Sequence, residues 1–445
     1  MKAATFKGGI HPYTGKELSK DSPVKEALPT KDLVFPMSQH IGAPAKPVVA
    51  VGDRVLVGQK IAEAGGFVSS DICCSVSGKV KTIEPRLVVN GSMVMSIVVE
   101  NDGKYEMAPG VGQKRDLEKL SKEDIRKYVK EGGIVGMGGA GFPTHVKLTP
   151  KDDNAIDYVI VNGAECEPYL TSDYRMMLEE PEKIVGGLKC ILKLFPNAKG
   201  IISVENNKMD AVEVLQKAVE GESNIEVKVL KAKYPQGAER TMIYASTGRK
   251  INSSMLPADA GCVVNNIDTV ISIYKAVCES TPLIRRIVTV TGDAAAKPQN
   301  YKVRCGTTYA DLLETAGGFK EGVEPEKVVS GGPMMGMALH DLNVPITKTA
   351  SALLCMTVDE VAAYEPTACI RCGRCIDACP SRLVPQMMVQ YAERFDNEGF
   401  EKVHGMECYE CGSCTYVCPA RRRLTQSFKQ TRAAVAAARR AAASK

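Results

Sequence analysis

The sequence predicts a multidomain α/β protein, and three observations carry that expectation. The first hundred or so residues read as short strands broken by Gly and Pro. The middle alternates apolar strands with amphipathic helices, and eight of the sixteen cysteines crowd into one block near the end. The units expected in order are a β-rich unit over residues 1–104, an α/β core over 116–282 and a smaller strand–strand–helix module over 283–350. A helical cysteine-bearing unit over 358–424 and a basic, Ala-rich tail over 425–445 complete the chain.

The 445 residues have room for about three domains of ordinary size. No apolar run reaches the ~18 residues of a membrane span, and the N-terminus "MKAATFKGGIHPYTGK" lacks an apolar signal core, so neither a transmembrane segment nor export is expected. A net charge of +5 is too mild to argue for nucleic acid. It is uneven, however: Arg421 to Lys445 carries eight Lys or Arg and no acid. That stretch reads as an exposed basic helix, either solvated or a docking arm for an acidic partner or an anionic membrane face.

In the first unit, "KPVVAVGDRVLVGQKIAEAG", "DICCSVSGKVKTIE" and "SMVMSIVVE" resemble the barrel-sandwich fold of lipoyl and biotinyl domains. The hairpin lysine that such domains modify is replaced by "SSDICCS", so the unit reads as a docking scaffold and not a swinging carrier. Residues 105–115 form a polar linker.

The core opens on "SKEDIRKYVKEGGIVGMGGAGFPTHVKL". Ser121 as N-cap, Asp124 three residues on, and Ile125, Tyr128 and Val129 on one face predict a helix. Gly136, Gly138 and Gly141 then fit G-x-G-x-x-G, but a dinucleotide fingerprint needs a preceding strand, and here a helix precedes. A strand is expected over Ile156–Val161, ending in Asn162-Gly163, with Glu165 and Glu167 beyond its carboxyl end, where open α/β sheets bind ligands. "KYPQGAERTMIYASTG" supplies Tyr234, Gly237 and Glu239. "AGCVVNNIDTVISIYKAV" puts Asn265, Asn266 and Thr269 at the opening of a helix. In the next module, "RRIVTVTGDAAAKPQNYKVRCGTTYADLLETAGG" gives strand, strand, helix. "GGPMMG" reads as a tight turn, and Met334, Met335 and Met337 as core filler.

The cysteine block repeats one pattern, C-x2-C-x2-C-x3-C-P: Cys369, Cys372, Cys375 and Cys379, then Cys408, Cys411, Cys414 and Cys418. This run holds 4Fe–4S clusters in two-cluster ferredoxins, where the fourth cysteine serves the other cluster. Cys369, Cys372, Cys375 and Cys418 are therefore expected around one cluster, and Cys408, Cys411, Cys414 and Cys379 around the second. Structural zinc fits the repeated third and fourth cysteines and the proline less well. The other eight cysteines read as buried packing.

Together the glycine loop, "NGAECEP", "YPQGAE" and "VVNNIDT" resemble the flavin- and NADH-binding subunit of respiratory complex I, whose core is an atypical Rossmann-like domain followed by a β-grasp, SLBB-like module. With the paired cysteine runs, "FKGGIHP" and the barrel-sandwich segment, the chain resembles, nearly end to end, the RnfC proteins of Rnf ion-translocating ferredoxin:NAD+ oxidoreductases. The resemblance implies that Gly136, Gly138 and Lys147 touch a non-covalent FMN and that Asn162, Asn265, Asn266 and Thr269 hold its ring and ribityl chain. It implies that Gly139, Ala140 and Phe142 border the nicotinamide of NAD(H), that Glu165 and Glu167 meet its sugar hydroxyls or amide, and that Tyr234, Gly237 and Glu239 line the pocket. Two positions depart: complex I has an arginine at Met137 and a glutamate at Ala238. No catalytic residue is nominated, because hydride transfer from flavin needs orientation and no general acid or base. The implied partners are the membrane subunits, a ferredoxin-like B subunit and, indirectly, ferredoxin, at the cytoplasmic face of the membrane. Two rival readings are a microcompartment-type cobalamin reductase and a non-enzymatic electron wire or scaffold.

Overall fold

The structure, a computed structural model, describes residues 3–443. Residues 1–2 and 444–445, the ends of the expected first and last units, lie outside the described residues.

The first unit is the expected sandwich. Leu33–Pro36, Met93–Asn101, Gly78–Leu87 and Arg54–Val55 form one antiparallel sheet, and Lys46–Pro47, Lys60–Glu63 and Ile72–Cys73 form the other. Alternating residues such as Leu33, Phe35, Ile61, Ile97 and Val99 fill the space between them. Residues 4–27, however, leave this unit. Ala4 bridges to Leu230 and Ile10 to Tyr234 of the core, while Lys25–Ala27 pairs in parallel with Tyr301–Val303 of the third unit. The segment is too short and too irregular for its pattern to announce these distant partners.

In the core, four parallel strands run in the order Ile225–Leu230, Lys199–Glu205, Tyr158–Gly163, Cys262–Asn266. The central strand begins at Tyr158 and not Ile156, because a 3-10 turn over Asp153–Ala155 delivers the chain to the sheet late. The helices Pro181–Leu192 and Ile267–Cys278 pack together against it, burying Ile184, Leu188, Ile191, Val270 and Ile273. Helix Lys122–Glu131 has the expected capping box between Ser121 and Asp124.

The third unit is a six-stranded mixed sheet with the helix Tyr309–Thr315 on it, and its strand Ala352–Met356 carries it past residue 350. Met335 and Met337, expected as filler, are exposed on the turn between Lys327–Ser330 and Met337–Ala338, which is too short to fold them inward. The last unit packs short helices around the cysteine loops, and helix Leu424–Ala443 closes it. That helix is no free tail, because Leu424, Phe428 and Val435 are buried and Phe428 lies 6.0 Å from Phe400. Its pattern reads as exposed because alanine separates the few large apolar residues.

The sandwich tip Ser69–Ser75, where a carrier lysine would project, is buried at the root of the glycine loop. Lys348 of the third unit reaches into that joint, where its ammonium donates to the carbonyls of Asp71 and Gly133 (2.7 Å to the latter) and to Ser70 Oγ at 3.3 Å. Burial pushes its pKa down to about 8. Lys348→Met strands two buried carbonyls and should cost about 2 kcal/mol locally. Faster amide exchange in residues 69–75 and 131–135 than in the parent protein checks this.

Candidate functional site

The glycine loop is a tight hairpin. Gly136 N–H donates to the Phe142 carbonyl (2.8 Å), and Thr144 N–H to that of Ile134 (3.0 Å), before the short helix Thr144–Lys147. Gly138, with φ +90°, takes a backbone that side chains avoid. A Cβ on Gly141 would come within 2.7 Å of Thr349 and 3.2 Å of the His40 backbone, so the loop's far side is pressed onto the neighbouring units. The exposed face belongs to Gly138, Gly139 and Ala140, with Phe142 half-buried beside them.

Behind this face lie the carboxyl ends of the two central strands. Asn265 is only 3% exposed, yet neither its amide nitrogen nor its oxygen has a protein partner. Buried polar atoms without partners are rare, so Asn265 fits a ligand group. Asn266 caps helix Ile267–Cys278 through Oδ1 and donates to Asp173 Oδ2 at 2.6 Å. Thr269 Oγ1 accepts from Met137 N–H at 2.9 Å, tying the loop to that helix. Asn162 spans the Ala164 N–H and the Gly237 carbonyl. Lys147 is held by the Val264 carbonyl at 2.8 Å and by Glu239 at 3.6 Å.

The two carboxylates already have protein partners. Glu165 accepts from the N–H groups of Asp173 (2.6 Å) and Tyr174 (3.3 Å), opening helix Ser172–Glu179. Glu167 accepts from Met334 and Met335 N–H at 2.7 and 3.1 Å. Burial raises both pKa values. Asp173 escaped sequence reasoning, although its carboxyl is strongly perturbed: burial, then Glu165 and Asp268, push it up to about 8. Its plain setting, "TSDYR", gives no signal for that. At Met137, where complex I has arginine, the Arg286 guanidinium from the third unit lies 2.6 Å from the sulfur and is paired with Asp268.

The cysteine runs repeat their backbone conformation residue for residue. Arg371 and Glu410 both have φ +56°, Gly373 and Gly412 have +78° and +80°, and Arg382 and Arg421 have +58° and +52°. In each, the second residue after the first cysteine donates its N–H to that sulfur, Arg371 to Cys369 at 3.4 Å and Glu410 to Cys408 at 3.3 Å. Cys369, Cys372, Cys375 and Cys418 line one cavity of about 440 Å³, and Cys379, Cys408, Cys411 and Cys414 line another of about 350 Å³. Each set therefore gathers three sulfurs from one run and the last from the other. Such four-thiolate cages suit iron–sulfur cubes. Apart from the eight cage residues, the cysteines are buried except Cys166, which is partly so.

The two cages differ in setting. Cys369 and Cys372 are exposed, whereas Cys379 and Cys411 are buried. Cys411 packs with Ile10, Tyr234 and Ala378, and with Cys166, Met334 and Tyr409 around them. Cys166 in turn accepts from Gly237 N–H at 3.2 Å. Glu407, just before the second run, accepts from Ser253 N–H (2.9 Å) and Arg240 (2.7 Å) of the core.

Residues 129–275 match the family model of the Nuo51 FMN-binding domain, 4–104 the RnfC barrel sandwich hybrid domain, 287–338 the SLBB domain and 362–419 the 4Fe-4S dicluster domain. Fold and site thus define an electron-transfer protein carrying FMN and two 4Fe–4S clusters. The chain is 44% identical, over 99% of both chains, to the RnfC protein of the Na(+)-translocating ferredoxin:NAD(+) oxidoreductase complex of Acetobacterium woodii. It is 46% identical to the counterpart from the proton-translocating complex of Clostridium ljungdahlii, over 86% of this chain and 83% of the relative. It belongs to the RnfC family of ion-translocating ferredoxin:NAD+ oxidoreductase complexes and is one component of a multi-protein assembly. The Vibrio cholerae relative, at 37% identity, is about twice as long, this chain covering 51% of it. An NAD+-reducing [NiFe]-hydrogenase structure shares the fold, with TM-score 0.52 and 18% identity over 74% of this chain and 72% of that one. Neither rival reading finds support in these comparisons. No helix among the described residues is long and apolar enough to cross a membrane.

Exchange of the fourth cysteine is directly testable. Cys379→Ser should alter the EPR signal of the cluster that Cys408→Ser alters, and Cys418→Ser that of the cluster altered by Cys369→Ser. Pairing within each run would contradict the cages.

Proposed function

We propose that this chain exchanges hydride with NAD(H) at an FMN seated on the glycine loop, and single electrons with the rest of its complex through two cysteine cages. The observation that carries the reading is the joint placement of the buried, unpartnered Asn265 amide at the strand ends and of a four-sulfur cage packed on the same core. When bound, FMN takes or gives two electrons at once or singly, which joins hydride chemistry to one-electron clusters.

The chain's own residues would orient and exclude. Gly136, Gly138 and Lys147 face the phosphate side of the flavin, and Asn162, Asn265, Asn266 and Thr269 its ring and ribityl chain. Gly139, Ala140 and Phe142 form the open face on which nicotinamide stacks, with Glu165, Glu167, Tyr234, Gly237 and Glu239 around it. The cage of Cys379, Cys408, Cys411 and Cys414 is the inner one. The cage of Cys369, Cys372, Cys375 and Cys418 is presented outward to a ferredoxin-like B subunit, through which ferredoxin is reached. The chain would sit peripherally at the cytoplasmic face of the membrane.

Anaerobic reconstitution with iron, sulfide and FMN, followed by NADH titration, tests this. The expected result is about one FMN bound without a covalent link and bleaching of its absorbance by NADH. Asn265→Leu should weaken FMN binding by about tenfold or more, since the amide's partner is lost. Fully metallated protein that refused FMN, or held it unchanged by NADH, would overturn the proposal.

A further inference from the structure

The turn Glu165–Leu170, which lies at the ligand-facing edge of the core, is built on an improbable backbone. Glu165 has φ +44° and Tyr169 φ +68°, left-handed conformations in non-glycine residues within five positions of each other. Such backbone persists only where its surroundings over-determine it.

The surroundings come from the N-terminal strap that leaves the barrel unit for the core. Lys16 sits on a single 3-10 turn, Lys16–Leu18, and is almost fully buried. Its ammonium donates to the carbonyls of Glu165 (2.9 Å), Glu167 (3.1 Å) and Leu170. A lysine has three donors, and here all three go to one turn. The Glu165 carboxylate, 3.9 Å away and 3% exposed, balances the charge. The residues beside Lys16 add grip: the Thr14 carbonyl accepts from Tyr169 N–H at 2.6 Å, Ser19 Oγ meets Thr171 Oγ1 at 2.7 Å, and Gly15, with φ +57°, lies where a Cβ would be 2.4 Å from the Tyr169 ring. The same turn carries Glu165 onto helix Ser172–Glu179 and Glu167 onto the Met334–Met335 backbone.

We propose that Lys16 is a positioning residue for nicotinamide-cofactor binding, its ammonium drawing three carbonyls of the 165–170 turn together and so fixing where Glu165 and Glu167 stand. The inference rests on the reading above that this edge of the core takes NAD(H). Lys16 touches neither flavin nor nicotinamide. Removing it should loosen the turn and weaken NADH binding while leaving the flavin seat and both cages intact.

The test uses holoprotein with ferricyanide as electron acceptor. Lys16→Met should raise the KM for NADH by about tenfold with kcat within about twofold, at unchanged flavin and iron contents. Amide exchange in residues 165–171 should quicken, and Lys16→Arg should recover part of both effects. An unchanged KM overturns the proposal. So does a raised KM with exchange unchanged, which would make Lys16 a direct contact. Glu167→Gln is measured alongside. If it moves the KM and Lys16→Met does not, the role of Lys16 falls while the NAD(H) reading stands, and if neither moves it, both fall. Should Lys16→Met fail to hold its cofactors, Gly15→Ala disturbs the same clamp: a raised KM with faster exchange supports the proposal, and an unchanged KM overturns it.

Discussion

Electron tunnelling falls steeply with distance, so everything in this molecule depends on the seam that fixes one cysteine cage against the flavin core. Ile10, Tyr234, Ala378 and Cys411 are buried together there, each from a different stretch of the chain. Gly8 and Gly9 make the fit possible. A Cβ on Gly8 would lie 2.6 Å from the Cys379 carbonyl, while Gly9 N–H donates to the Ala378 carbonyl and Ile10 pairs with Tyr234. The N-terminal segment is thus a gasket between the core and the cluster unit, and the bonds of Glu407 to Ser253 and Arg240 hold the joint from the other side.

The other units serve the same constraint. The sandwich tip, Lys348 and Gly133 lock the root of the glycine loop, and Arg286 and Thr349 of the third unit press on its underside. The helix Leu424–Ala443 backs the cages through Phe428, with Arg432 bonded to Glu410 inside the second run. A loop that must bring backbone close to a ligand is thereby kept from collapsing when the ligand is away.

Much of this was legible in the sequence, for reasons that differ by element. The cysteine spacing is a local code, so the exchange of Cys379 and Cys418 between cages could be expected before any coordinates. The capping box of Ser121 and Asp124 is equally local. Asn265 could be nominated only through resemblance; its missing partners are a property of the fold. Lys16, Asp173 and residues 4–27 were opaque because their meaning lies in contacts distant in the chain, with no periodicity to betray them. The helix over 424–443 passes for a free basic tail because its spaced buried positions, Leu424, Phe428, Thr431 and Val435, are diluted by alanine.

The central claim is that the cage containing Cys379 stands between the core and the outward cage. EPR after mixing anaerobic, reconstituted variants with NADH tests it most directly. With the outer cluster disabled by Cys418→Ser, NADH should still reduce the inner one. With the inner disabled by Cys379→Ser, the outer cluster should stay oxidised while the flavin is reduced. Equally fast reduction of the outer cluster in the Cys379→Ser protein would contradict the arrangement.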